Sequence, residues 1–292
     1  MTCPHRRPTA RPRRRTGRGL LLALALAGGC QTFRAHTPPA DAAIKPKAEP
    51  VAATVALPTR HSLRVSQYYF FADFELKPDL ALFRELSDLR EQVVRELQLP
   101  TANNVIQVFV FENRDRYERF MQTKYPDLPK RRAFFVAQPR SVGGPEDLFV
   151  YTYWGDRVRE DLRHELTHAL LHSVLQNVPL WLDEGLAEYF ELPPERKGVN
   201  THHLDQLRRG AFKPDLARLE QLSQVQQMTP PEYREAWAWV HLMLADRPEA
   251  RTVLLAYLNQ LRSTPNPGPL QPRLAGVYPE LDEALERHLA QL

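Results

Sequence analysis

Cysteine is nearly missing from this sequence: 292 residues contain two, Cys3 and Cys30. Cys3 lies in a stretch whose composition marks it for removal, so the mature chain has no internal pair to oxidise, and its stability must come from packing. Acidic residues are absent from residues 1–29, which carry seven arginines ahead of an apolar run at 20–27. That run falls well short of the roughly 20 apolar residues a spanning helix needs. A basic start, a short apolar stretch and a small-residue boundary are the layout of an export signal. Seven of the 39 basic residues and none of the 35 acidic ones would leave with it, turning a balance of +4 into 32 against 35, or −3. The isoelectric point of about 9.1 therefore belongs to the signal, and nucleic acid is not an expected partner. Internal repeats are also lacking.

What stands at the boundary is Leu26-Ala27-Gly28-Gly29-Cys30. It resembles a bacterial lipobox, which implies cleavage after residue 29, lipidation of Cys30 and a membrane-tethered protein of the cell envelope. Ala27 stands where leucine is more usual, so cleavage by an ordinary signal peptidase remains the alternative. Residues 30–60, rich in Ala, Pro, Thr and Lys without apolar periodicity, read as a flexible tether.

A folded domain is expected over 61–292. Residues 61–76 are dense in Val, Tyr and Phe and suggest one or two strands, and a helix opens at Pro78 and Asp79 and runs to Pro100 with Leu82, Phe83, Leu86, Leu89, Val93 and Leu97 at helical spacing. A strand at 104–111, a short helix at 114–124 and strands at 132–138 and 148–154, joined by a Gly143-Gly144-Pro145 turn, complete a sheet lobe to residue 190. Helices predicted at 157–176, 179–190, 202–209, 231–244, 250–262 and 279–292 make 191–292 a helical lobe. The class is α+β.

His164-Glu165-Leu166-Thr167-His168 lies mid-helix. Histidines four apart project from one face, so both imidazoles can reach a single metal ion, with the Glu165 carboxylate beside them. A two-histidine hydrolytic centre needs a third protein ligand, and Glu184 or Glu188, in the segment 181–190 (WLDEGLAEYF), could supply it from a neighbouring helix. His172 continues the histidine series; it is read as a supporting or solvated residue.

Together the H-E-L-T-H and W-L-D-E-G-L-A-E-Y-F segments resemble the gluzincin metallopeptidases, which include thermolysin and the aminopeptidase N group. The resemblance covers about residues 148–190. It implies a zincin-like fold with the active-site helix between the two lobes, one Zn2+ on His164, His168 and Glu184, and Glu165 as general base. It also implies that Glu188 orients His164. Two departures are visible: only fifteen residues separate His168 from Glu184, which demands a tighter turn, and no G-A-M-E-N segment precedes the motif, which disfavours an exopeptidase.

The implied activity is zinc-dependent hydrolysis of peptide bonds in a peptide or protein substrate. Tyr233 is the candidate for oxyanion stabilisation, on a face shared with Trp237 and His241, with His241 as fallback and an ordinary core face as the bland alternative. Phe149, Tyr151 and Tyr153 alternate with Val150, Thr152 and Trp154, giving that strand two large faces; the resemblance makes it an edge strand that a substrate backbone pairs with, against an ordinary half-buried strand. Hydrolysis of a non-peptide amide, or a catalytically inactive binding module, are the competing functions.

Overall fold

A computed structural model describes residues 55–140, 146–210 and 212–292. The export signal, Cys30, most of the tether and the Gly143-Gly144-Pro145 turn lie outside the described residues.

Strand β1 (His61–Val65) turns back antiparallel onto β2 (Tyr68–Ala72) through Ser66, whose φ of 55° is left-handed. Helix α1 (Ala81–Glu96) buries Leu82, Phe83, Leu86, Leu89 and Val93 and crosses over to β3 (Ile106–Phe111), parallel to β2. Helix α2 (Arg114–Lys124) starts where the Asn113 side chain accepts a hydrogen bond from the Arg116 N–H. Strands β4 (Ala133–Pro139) and β5 (Glu146–Tyr153) then pair antiparallel, and β5 lies parallel beside β3. The five-stranded mixed sheet has the order β1-β2-β3-β5-β4. This corrects one expectation: β5 is interior, flanked on both sides, and the edge strand beside the motif helix is β4.

Side-chain alternation gives the sheet two different faces. Tyr68, Phe70, Ile106, Val108, Leu148 and Val150 enter the main core with α1 and the motif helix. Phe109, Phe111, Phe134, Val136 and Tyr151 form a second cluster on the other side with Tyr117, Phe120 and Met121 of α2. Contacts of Phe120 with Phe111 at 5.1 Å and with Tyr151 at 5.5 Å fix α2 there, each such pair adding about 0.5–1.5 kcal/mol beyond area burial.

After β5 the chain is helical: α3 (Val158–His172), α4 (Leu180–Phe190), α5 (Thr201–Arg209), α6 (Leu216–Leu219), α7 (Pro230–Ala245), α8 (Pro248–Leu261), α9 (Gln271–Ala275) and α10 (Leu281–Gln291). The main core continues without a break from β2 to α10, so the boundary drawn at 190/191 does not divide it. Helix α7 is buried at every position from Glu235 to Leu244, the mark of a central helix. Its start carries a reciprocal Thr229–Glu232 cap and prolines in the first turn. Among the described residues no helix is long and apolar enough to cross a membrane.

Helix α3 stops at His172, a turn earlier than periodicity suggests. Asn177 takes a left-handed φ of 46° ahead of Pro179, and the Gln176 N–H donates to the Leu261 carbonyl at 2.8 Å instead of continuing the helix. This link of seven residues returns the chain at once across α3 as α4. At Gly185 the two central helices α4 and α7 meet so closely that a Cβ would lie 2.6 Å from the Ala236 carbonyl oxygen.

Candidate metal centre

Helix α3 presents His164, Glu165 and His168, and α4 presents Glu184 across from them. His164 Nε2 is 3.2 Å from His168 Nε2, and Glu184 Oε2 is 3.4 Å from the first and 3.5 Å from the second. Ligand atoms placed tetrahedrally around Zn2+ at about 2.0–2.1 Å stand about 3.3 Å apart. The three atoms therefore fit one face of such a tetrahedron, and they form a potential metal-binding group.

Each imidazole is backed by a carboxylate. His164 Nδ1 donates to Glu191 Oε2 at 3.1 Å. His168 Nδ1 is 3.1 Å from Asp183 Oδ1, a close charged contact whose angle falls short of a hydrogen bond. The other oxygen of Asp183 takes His172 Nε2 at 3.0 Å. With a proton on each Nδ1, the tautomer that suits these carboxylates, the Nε2 lone pairs turn inward, toward each other and toward Glu184 Oε2, a buried oxygen without a hydrogen bond. Three converging lone pairs repel unless a cation lies among them.

The proton affinities carry the same message. Burial alone would lower both histidines, but Glu184 and Glu191 outweigh it for His164, which is held well above the usual range. Asp183 and Glu184 outweigh it for His168, pushed up to about 10. Glu184 is held well below the usual carboxylate range: burial opposes this, and the two histidines overcome it. Protons and a metal compete for these same atoms.

Glu165 is buried, and its Oε2 accepts the Phe135 N–H of β4 at 2.6 Å. Burial raises its pKa, the two histidines pull it down, and Glu184 pushes it up again. A cleft of about 620 Å³ opens beside it, bounded by Glu165, His168, His172 and Glu184 and by apolar walls from Leu128, Phe134, Phe135 and Leu180.

Tyr233 reaches this group: its hydroxyl donates to Glu184 Oε1 at 3.4 Å and accepts from Arg131. Burial first, and Glu184 next, keep that hydroxyl protonated. The rest of the same helix face is core. Trp237 is fully buried and donates to the Gly198 carbonyl at 2.8 Å, while His241 packs on Tyr189 and Trp237 and pairs with His288 at 2.8 Å. The fallback His241 is thus remote from the triangle. His172 serves Asp183.

Glu188 accepts from His203 Nε2 at 2.8 Å and stays in one group with His164 and Glu191, its carboxylate within 4.8 Å of both. The hydrogen-bond partner of His164 Nδ1 is Glu191, two turns beyond Glu184. The cause is Arg163, buried beside the first histidine, which donates to the carbonyls of Phe190, Glu191 and Leu192 at 2.9 Å or less. It satisfies the open end of α4 and draws that end against α3. Sequence reasoning also missed Asp183 and Arg131. Asp183 was legible as the neighbour of Glu184, whereas Arg131 sits in an irregular segment with no pattern to flag it. No protein-family model matches the chain, and a search of curated proteins finds no match either.

Proposed function

We propose that this protein is a zinc-dependent hydrolase of peptide bonds, built on a zincin-like fold of the gluzincin type, with His164, His168 and Glu184 as ligands and Glu165 as general base. The observation that carries the reading is the ligand triangle itself, whose edges of 3.2, 3.4 and 3.5 Å suit a tetrahedral ion. The support extends outward from it: both imidazoles are backed by carboxylates, and a fourth carboxylate lines the cleft without joining the triangle.

A zinc ion held there would supply Lewis acidity, polarising a carbonyl and acidifying water. Glu165 is suited to accept the proton of an attacking water and return it to the leaving nitrogen, because burial raises its proton affinity above that of an ordinary carboxylate. The Phe135 N–H fixes one of its oxygens, so the carboxylate cannot swing away. Tyr233 offers a protonated hydroxyl beside the triangle, suited to steady an oxyanion. In an edge strand alternate residues turn their backbone groups outward; Phe135 does so in β4, and Ala133 and Ala137 share its phase. An extended peptide has a strand to pair with there. The lipobox resemblance completes the proposal with an exported, Cys30-anchored protein acting in the cell envelope.

The test is metal analysis of the purified protein together with digestion of a mixed peptide pool read by mass spectrometry, for the parent and Glu165→Gln. The variant should keep near-stoichiometric zinc and lose on the order of 10²-fold or more in turnover. Cleavage at the parental rate would refute the assignment of Glu165.

A further inference from the structure

Glu184 has two oxygens with different surroundings. Oε2 completes the triangle, whereas Oε1 faces the cleft, 3.4 Å from the Tyr233 hydroxyl and 3.7 Å from Arg131 Nη1. Through Nη2 the same guanidinium donates to Tyr233. Its central carbon lies 5.5 Å over the Tyr233 ring and 5.9 Å over that of Phe134, so two aromatic side chains flank it. Arg131 comes from the segment just before β4, Tyr233 from the first turns of α7 and Glu184 from α4; three separate elements converge on one oxygen.

We propose that Arg131 is a positioning residue of the metal centre: its guanidinium holds Glu184 Oε1 and the Tyr233 hydroxyl in one arrangement, which keeps Oε2 turned toward the two imidazoles. The inference rests on the metal-centre reading above. A planar fork with several fixed donors can serve a carboxylate and a phenol at once, which the single ammonium of lysine cannot do with the same geometry. A ligating carboxylate held from behind is typically worth 10- to 100-fold in metal affinity. Charge alone makes the opposite demand, because a cation this close to a bound Zn2+ repels it. The sign of the effect therefore separates positioning from electrostatics.

The experiment is zinc affinity by competition with a chromogenic chelator for the parent, Arg131→Gln, Arg131→Lys and Tyr233→Phe, with melting of each metal-free protein followed by circular dichroism. The Arg131 side chain is 30% exposed, so its replacement leaves no hole in the core. Arg131→Gln is expected to bind zinc at least tenfold more weakly at an unchanged melting temperature, Arg131→Lys to recover little of the loss, and Tyr233→Phe to lose less. Unchanged or tighter binding by Arg131→Gln, or full recovery with lysine, overturns the proposal. So does weaker binding that only tracks a lowered melting temperature, which would make Arg131 a structural residue. Failure of the parent to take up one zinc overturns the metal-centre reading itself, a result distinct from equal affinities across the series.

Discussion

Replacing Gly185 by alanine adds one methyl group where α4 and α7 touch backbone to backbone. The new carbon would lie 2.6 Å from the Ala236 carbonyl oxygen and 2.9 Å from a Val240 methyl, while carbon contacts relax only near 3.5–4.0 Å. Neither helix has a flexible tip to yield at that point, so α4 must shift by about half an ångström or more. Overpacking of this kind costs about 1–3 kcal/mol, offset by about 1 kcal/mol because alanine is the better helix former. A net loss of up to about 2 kcal/mol lowers the melting temperature by up to roughly 8 °C in a domain of this size. Glu184 is the adjacent residue and moves with the helix, away from a triangle whose edges now suit the metal. Zinc affinity should fall on the order of tenfold or more. Melting of the metal-free variant and chelator competition measure the two effects separately. A variant that melts with the parent and binds zinc equally well would show that this helix contact does not set the position of the ligand.

Glu191→Gln should weaken zinc binding by roughly 10- to 100-fold, Glu188→Gln should leave it near the parental value, and Glu184→Ala should be worst of the three; chelator competition ranks them, and exchange of the first two would return the orienting role to Glu188. His241 and His288 are both kept neutral, first by burial, with His241 lowered to about 4. The unfolded chain takes up protons below about pH 6.5 that the folded chain refuses, so stability falls as pH drops from 6.5 toward 4, by about 3 kcal/mol for His241. His241→Gln should flatten that limb in urea titrations at stepped pH, and an unchanged slope would place the acid sensitivity elsewhere. Intact-mass measurement of the mature protein should find Cys30 acylated at the N-terminus; a start elsewhere would refute the lipobox reading.

The parts of this protein legible in its sequence are those encoded by local spacing. The histidine pair and Glu184 needed only helical geometry and a short link to meet, and the short link is visible in the fifteen-residue separation. The division of β5 into two large faces also follows from alternation: Phe149, Tyr151 and Tyr153 face away from the main core while Val150 and Thr152 face into it. Strand order is another matter. Nothing within β5 says that β4, earlier in the chain, pairs outside it and becomes the edge. The hydrogen bond of Glu191 to His164 was hidden for a similar reason, since four-residue spacing points to Glu188 and only the tertiary contact of Arg163 with the end of α4 brings Glu191 forward. Arg131 depends entirely on long-range packing, and its position in an irregular segment left no periodicity to read.

The Arg163 contacts have a consequence for how a metal would enter. Arg163 lashes the end of α4 to α3, and the core already holds both helices, so the ligand atoms stand in place before any ion arrives. Uptake should then bury almost no fresh surface. Its heat-capacity change should be close to zero, unlike small zinc modules in which binding and folding are one event. Calorimetry at several temperatures would give an enthalpy that barely varies, apart from the heat of the buffer accepting the displaced protons.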